Sequence, residues 1–171
     1  MKVAIVIPAR YGSSRFPGKP LADIHGKPMI QHVYEKACLS KFATLVVVAT
    51  DDTRIYEAVR AFGGDCVITS SEITSGTARV ADVAKVRSAD IYINVQSDEP
   101  LIRPSDIDLV ARALIDKKKS EVVTLCHGIS YEDSLNPNVV KVAKSHSGKA
   151  LYFSRSSIPF GRDKKKHGFF L

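Results

Sequence analysis

Five short apolar runs, rich in β-branched residues and interleaved with segments of helical spacing, constrain this 171-residue chain more than any other feature. The runs are Val3–Ile7, Leu45–Ala49, Cys66–Ile68, Ile91–Val95 and Glu121–Leu125. Between them, Ile30, Val33, Tyr34 and Ala37 fall at i, i+3, i+4 and i+7, as do Ile55, Ala58, Val59 and Phe62. Ile107, Val110, Ala111 and Leu114 repeat the spacing after Pro104-Ser105, with Asp108 completing a helix-start signal. Near-continuous apolar strands need burial on both faces, so a mainly parallel sheet with helices on both sides is expected. This is a Rossmann-like α/β fold, read as one domain over 1–171. After Leu125 the pattern changes. Asn136-Pro137-Asn138 reads as a turn, and Val139–Ala143 and Ala150–Phe153 read as two further strands around Ser147-Gly148. They predict a β-rich extension onto the α/β core.

Hydrophobic residues make up 44% of the chain and charged residues 25%, the balance of a soluble globular protein. No apolar run approaches the roughly 20 residues of a membrane-spanning helix. The run Val3–Ile7 ends in Pro8-Ala9-Arg10, too soon for a signal peptide's apolar region. A cytoplasmic chain without a membrane partner is expected. Cys38, Cys66 and Cys126 have no CxxC spacing, which argues against both a disulfide framework and a zinc site. The net charge of +7 suggests anionic partners. The basic residues gather in an N-terminal loop, at Lys117–Lys119 and at Lys164–Lys166, without the interleaved aromatics of a nucleic-acid stripe. Nucleic acid is not the expected partner.

In an open α/β sheet, ligands bind beyond the C-terminal ends of the strands. The first strand runs into Pro8-Ala9-Arg10-Tyr11-Gly12-Ser13-Ser14-Arg15-Phe16-Pro17-Gly18-Lys19-Pro20. Glycines, hydroxyls and cations in that density suit a polyphosphate cradle. Five residues separate Gly12 from Gly18, and Pro20 stands where a P-loop has Ser or Thr, so the loop is not a P-loop. Composition alone leaves an ordinary basic surface turn equally open. Asp98-Glu99, after the fourth run, could hold Mg²⁺ or simply face water, and spacing alone favours water. Thr74-Ser75-Gly76-Thr77-Ala78-Arg79 opens a helix whose free N–H groups suit an anion or a base edge, or form a plain N-cap.

The order of residues is more specific than their composition. IPARYGSSRFPGKPL followed by HGKPMIQHVYEKA resembles the N-terminal signature of CMP-Kdo synthetases and, more loosely, of CMP-sialic acid synthetases. NVQSDEP, SGTAR, VVVATDD, Asn136-Pro137-Asn138 and ALYFSRSSIP resemble later segments of the same family. The resemblance spans residues 3 to about 160. It implies a nucleotide-diphospho-sugar transferase type of fold and a homodimer that uses the β-rich region.

The resemblance also implies a reaction, in which the C2 hydroxyl of Kdo (3-deoxy-D-manno-octulosonate) attacks the α-phosphate of CTP. CMP-Kdo for lipopolysaccharide biosynthesis and pyrophosphate would result. The alternatives are a catalytically impaired CTP-binding and dimerisation module, or a CMP-sialic acid synthetase. Lys19, Arg15 and Asp98 take catalytic positions, with Asp98 the Mg²⁺ ligand. Ala9, Arg10 and Ser13 fall where the family wraps CTP, Gln96 where it holds the sugar acid, and Ser75, Gly76 and Arg79 where it contacts cytosine and sugar. Arg155 falls near the site, and His167 stands closest to a family histidine. Ser97 replaces the family glycine and Ala78 a glutamate. If position 97 needs a positive φ, serine should cost about 1 kcal/mol there. The family's Glu-Gln pair and second magnesium aspartate, in its C-terminal third, have no counterpart in these 171 residues.

Overall fold

The computed structural model describes residues 1–12, 16–116, 121–158 and 169–170. The chain, read above as one domain, divides into two compact units, Met1–Val123 and Thr124–Leu171.

The first unit begins with β1 (Val3–Ala9), a 3₁₀ turn at Lys19–Leu21, and a hairpin of β2 (Asp23–Ile24) and β3 (Lys27–Pro28). Then come α1 (Met29–Cys38), β4 (Leu45–Thr50), α2 (Thr53–Ala61), β5 (Cys66–Ile68), α3 (Gly76–Val86), β6 (Ile91–Asn94) and α4 (Pro104–Asp116). Four strands form one sheet in the order β5-β4-β1-β6, and every pairing in it is parallel.

Side chains of a strand alternate between faces, and here each face meets its own helices. Val3, Ile5, Ile7 and Ala9 pack with Ile30 and Val33 of α1, Ile55 and Val59 of α2, and Ile107 and Ala111 of α4. Val6 faces the other way, with Val47, Ala49 and Val80 and Val83 of α3. The expected parallel sheet between two helical layers is present. β1 is buried along its whole length, and each Val or Ile so buried stabilises by about 1.5–3 kcal/mol.

The run Glu121–Leu125, expected as a strand, is not one. Val122 is 87% exposed and Leu125 48%, and neither belongs to any strand. Apolar content suffices for a strand only where a partner edge receives it. Asp108 also departs from expectation. Its carboxylate accepts from Ser40 Oγ at 2.6 Å and Lys41 N at 3.0 Å, fastening α4 to the end of α1 instead of capping its own helix.

The second unit holds β7 (Gly128–Ile129), α5 (Tyr131–Leu135), β8 (Lys141–Lys144), β9 (Ala150–Ser154) and β10 (Phe169–Phe170). β8 and β9 pair antiparallel, as do β7 and β10. Lys141 is fully buried, and its ammonium donates to the carbonyls of Asn136 (3.0 Å), Val139 (2.8 Å) and Arg155. Three acceptors for three N–H bonds make that burial tolerable.

Candidate nucleotide site

β1 continues to β4 and β5 on one side, whereas β6 returns to its other side. The strand order therefore reverses between β1 and β6, which is where an open α/β sheet forms its ligand crevice. A cleft of about 550 Å³ lies there.

Its first wall is the end of β1 and the loop that follows, with Pro8, Ala9, Arg10, Phe16 and Lys19. The loop is closed at its base, where Gly18 N donates to Tyr11 O at 2.8 Å. Gly18 has φ 71°, and a Cβ there would meet the Tyr11 ring at 3.0 Å, so only glycine fits. The 3₁₀ turn then carries the Lys19 ammonium to 2.7 Å from Asp98 Oδ2.

The second wall comes from the end of β6, with Gln96, Ser97 and Asp98. Gln96 Nε2 donates to Asn94 Oδ1 at 3.1 Å, two residues away and therefore on the same side of the strand. Ser97 is not strained. Among the described residues, His25 is the one non-glycine with positive φ, so the serine is accommodated without the expected cost. Desolvation, and then the charge of Asp98, hold the Glu99 carboxyl above the usual carboxylate range.

The third wall is the start of α3, with Ile73, Thr74, Ser75, Gly76 and Arg79. Ser75 is the N-cap, its Oγ accepting from Ala78 N at 3.1 Å. A Cβ on Gly76 would stand 3.6 Å from Pro8 and Asn94 Nδ2 and 3.7 Å from Gln96 Nε2, ordinary contact distances, so Gly76 lies where the three walls meet. Arg79 is only 3% exposed. Its guanidinium donates to Asp51 Oδ2 at 3.0 Å, to Ile73 O at 3.0 Å and to Thr69 Oγ1. It binds the end of β4 to the wall itself.

The cleft thus gathers Ala9, Arg10, Lys19, Ser75, Gly76, Arg79, Gln96 and Asp98 from the expected set. Ser13, Arg15 and His167 lie outside the described residues. Arg155 belongs to the second unit, where it donates to Pro137 O at 2.9 Å. Sequence reasoning missed Asn94, Asp51 and Phe16. For Asn94 a signal existed, its i, i+2 relation to Gln96.

Two reachable cations, Arg10 and Lys19, with the buried Arg79 behind them, a neutral amide, a capped helix start and the accessible carboxylate of Asp98 suit a nucleoside triphosphate beside a polar acceptor. The cytidylyltransferase family profile matches residues 4–169, and the chain belongs to that family. It is 52% identical over 165 residues to the 3-deoxy-manno-octulosonate cytidylyltransferase of Escherichia coli, covering 96% of this chain and 67% of the relative. It is also 52% identical over 169 residues to the 8-amino-3,8-dideoxy-manno-octulosonate cytidylyltransferase of Shewanella loihica, covering 95% and 69% respectively. The solved structure of a CMP:2-keto-3-deoxy-manno-octonic acid synthetase complexed with CTP superposes at TM-score 0.96. It shares 50% identity and covers 99% of this chain and 70% of that one. The chain spans about two-thirds of the length of these relatives. Among the described residues, no helix is long and apolar enough to cross a membrane.

Proposed function

We propose that this chain transfers CMP from CTP to the C2 hydroxyl of Kdo, releasing pyrophosphate. The observation that carries the reading is the pairing of Lys19 and Asp98 across a cleft at the β1–β6 switch point. Support comes from relatives that act on such sugar acids and from the likeness to a CTP complex. In this reading Arg10, Lys19 and Arg15 neutralise the triphosphate, Ala9 and Ser13 line it, and Ser75 and Gly76 offer polar contacts at the helix start. Gln96 holds the sugar acid. Arg79 braces the cleft wall through Asp51, Thr69 and Ile73. Catalysis of this kind is mostly positioning and charge stabilisation.

Mg²⁺ belongs to the same proposal, with Asp98 as its protein ligand. Asp98's side chain is 44% exposed, so the carboxylate can be reached. Among the described residues, no cluster of three His, Cys, Asp or Glu could hold a metal. That donor set fits a hard cation carried chiefly by triphosphate oxygens and water, the usual habit of Mg²⁺. When bound, the metal supplies charge neutralisation at the phosphates.

The reading counts both units as parts of one cytoplasmic nucleotidyltransferase. It includes a homodimer. β9 exposes Leu151 (64%), Tyr152 (64%) and Phe153 (52%), an apolar strip suited to a second copy. Sedimentation at micromolar concentration tests this, and a monomer that persists would remove the dimer.

The activity is tested by pyrophosphate release from CTP with Kdo and Mg²⁺. 8-Amino-Kdo, sialic acid and ATP serve as controls. Turnover with Kdo and CTP is expected. Calorimetric CTP binding without turnover would favour the second reading, a cytidine-nucleotide module. Turnover only with 8-amino-Kdo, or only with sialic acid, would reassign the sugar.

A further inference from the structure

We infer that Arg54 is a positioning residue for CTP, acting through the ring of Tyr11. The inference rests on the nucleotide reading above. Arg54 Cζ sits 3.3 Å from the centroid of the Tyr11 ring. Its guanidinium is fixed there by a two-point bond to Asp52, Nε to Oδ1 at 2.9 Å and Nη2 to Oδ2 at 2.6 Å. Asp52 is itself immobilised as the N-cap of α2, accepting from Arg54 N at 3.0 Å. Tyr11 in turn forms the base of the nucleotide loop. Its carbonyl accepts from Gly18 N at 2.8 Å, and its ring edge lies 3.0 Å from where a Cβ on Gly18 would stand.

The geometry gives the stack a functional consequence. Arg10 and Lys19 are the immediate chain neighbours of Tyr11 and Gly18, and both line the cleft. The base that Tyr11 and Gly18 make therefore sets how far apart those two cations stand. A triphosphate needs them at a fixed separation. Without the stack, the ring can rotate away from Gly18, and among the described residues one backbone hydrogen bond then joins Tyr11 to Gly18. Arg54 lies outside the cleft lining, and the carboxylate of Asp52 balances its charge. Its contribution is therefore orientation and not direct attraction to phosphate.

A cation–π contact at an exposed site is worth about 0.5–1 kcal/mol, or roughly a two- to fivefold change in affinity. The test is a double-mutant cycle on CTP affinity, measured by calorimetry at 0.1 and 0.3 M salt, with melting temperature read in parallel. Arg54→Met and Tyr11→Leu should each weaken CTP two- to fivefold, at unchanged kcat under saturating CTP. Tyr11→Phe, which keeps the ring face, should bind as the parent does. The double variant should be no weaker than either single one, and the effect should persist at 0.3 M salt. Three results would overturn the inference: no loss in Arg54→Met, strictly additive losses, or a loss at Arg54 that disappears in salt. The last is long-range attraction alone. Lys19→Ala, run beside them, separates the two readings. If it leaves CTP affinity unchanged, the site assignment fails. If it weakens CTP while Arg54→Met does not, only the positioning role fails.

Discussion

The Lys19 ammonium sits 2.7 Å from Asp98 Oδ2, so the carboxylate proposed to receive the metal is already satisfied by a cation of the chain. The pair is open to water, with side chains 38% and 44% exposed, and such pairs contribute about 0.2–1 kcal/mol. A contact of that size can be exchanged. In the proposed reading, triphosphate oxygens would draw Lys19 away and so free Asp98 to hold a divalent cation.

That exchange has a measurable sign. In the nucleotide-free chain, Lys19→Met should bind Mn²⁺ more tightly than the parent by a factor of about two to five, the worth of one exposed ion pair. The same substitution should weaken CTP about tenfold or more, since a charge-assisted phosphate contact is lost. Asp98→Asn should bind Mn²⁺ poorly in the nucleotide-free chain. Electron paramagnetic resonance of free Mn²⁺ reports both metal affinities, and calorimetry the CTP affinity. Equal Mn²⁺ affinity in parent and Lys19→Met would show that the ion pair does not compete with metal.

His25 carries the one positive φ of a non-glycine residue among those described, 52°, followed by Gly26 at 82°. Together they make the two-residue turn joining β2 to β3, with Asp23 Oδ1 accepting from Gly26 N at 3.2 Å. Two consecutive left-handed residues form the turn type that prefers Asn-Gly. His25→Asn should therefore stabilise by about 0.5–1 kcal/mol, raising the melting temperature by about 1–4 °C. Thermal unfolding monitored by circular dichroism checks it, and a fall in stability would show that the imidazole makes a compensating contact.

The sheet was legible because β1, β4 and β6 are nearly unbroken apolar runs, and few arrangements other than a two-sided parallel sheet bury such runs. The cap at Ser75 was legible because capping is local. What the sequence hid depends on partners far along the chain. Glu121–Leu125 has the composition of a strand but no edge to pair with. Ser97 looked strained only by comparison with a glycine, and its own backbone avoids the left-handed region. Asp108 resembles a capping residue, yet its acceptors are claimed by Ser40 and Lys41 some 68 and 67 residues earlier. Lys141 would pass for a surface charge until three carbonyls close around it.

Arg79 belongs with these long-range cases, and its burial makes a strong stability prediction. Its partner Asp51 is 18% exposed at the side chain, and removing one member of a buried pair strands the other. Arg79→Met should destabilise by about 3 kcal/mol. Arg79→Lys should cost nearly as much, because one ammonium cannot span Asp51, Thr69 and Ile73 as a planar fork does. Adding Asp51→Asn to Arg79→Met should recover part of the loss, since no unpaired charge then remains. Urea unfolding measures all three. A loss under about 1 kcal/mol in Arg79→Met would place the guanidinium's value in substrate contact instead.

Cys66 is 7% exposed, and burial, followed by the charge of Asp65, pushes its thiol up to about 12. The thiolate is the nucleophile, so native Cys66 should resist iodoacetamide at pH 8 while the exposed Cys126 labels. Peptide mass spectrometry distinguishes the two, and urea should open Cys66 to the reagent. The sign for stability follows from the same shift. The folded thiol keeps a proton that the unfolded chain releases above about pH 8.5, so stability falls as pH rises from there towards 12. For this group alone the loss between pH 8 and pH 10 is about 2 kcal/mol. Cys66→Ala should flatten the alkaline limb by that amount in urea titrations, at the cost of a small cavity beside Val48 at every pH. An unchanged alkaline limb in Cys66→Ala, or equal labelling of Cys66 and Cys126 in the native chain, would mean that the thiol is open to water.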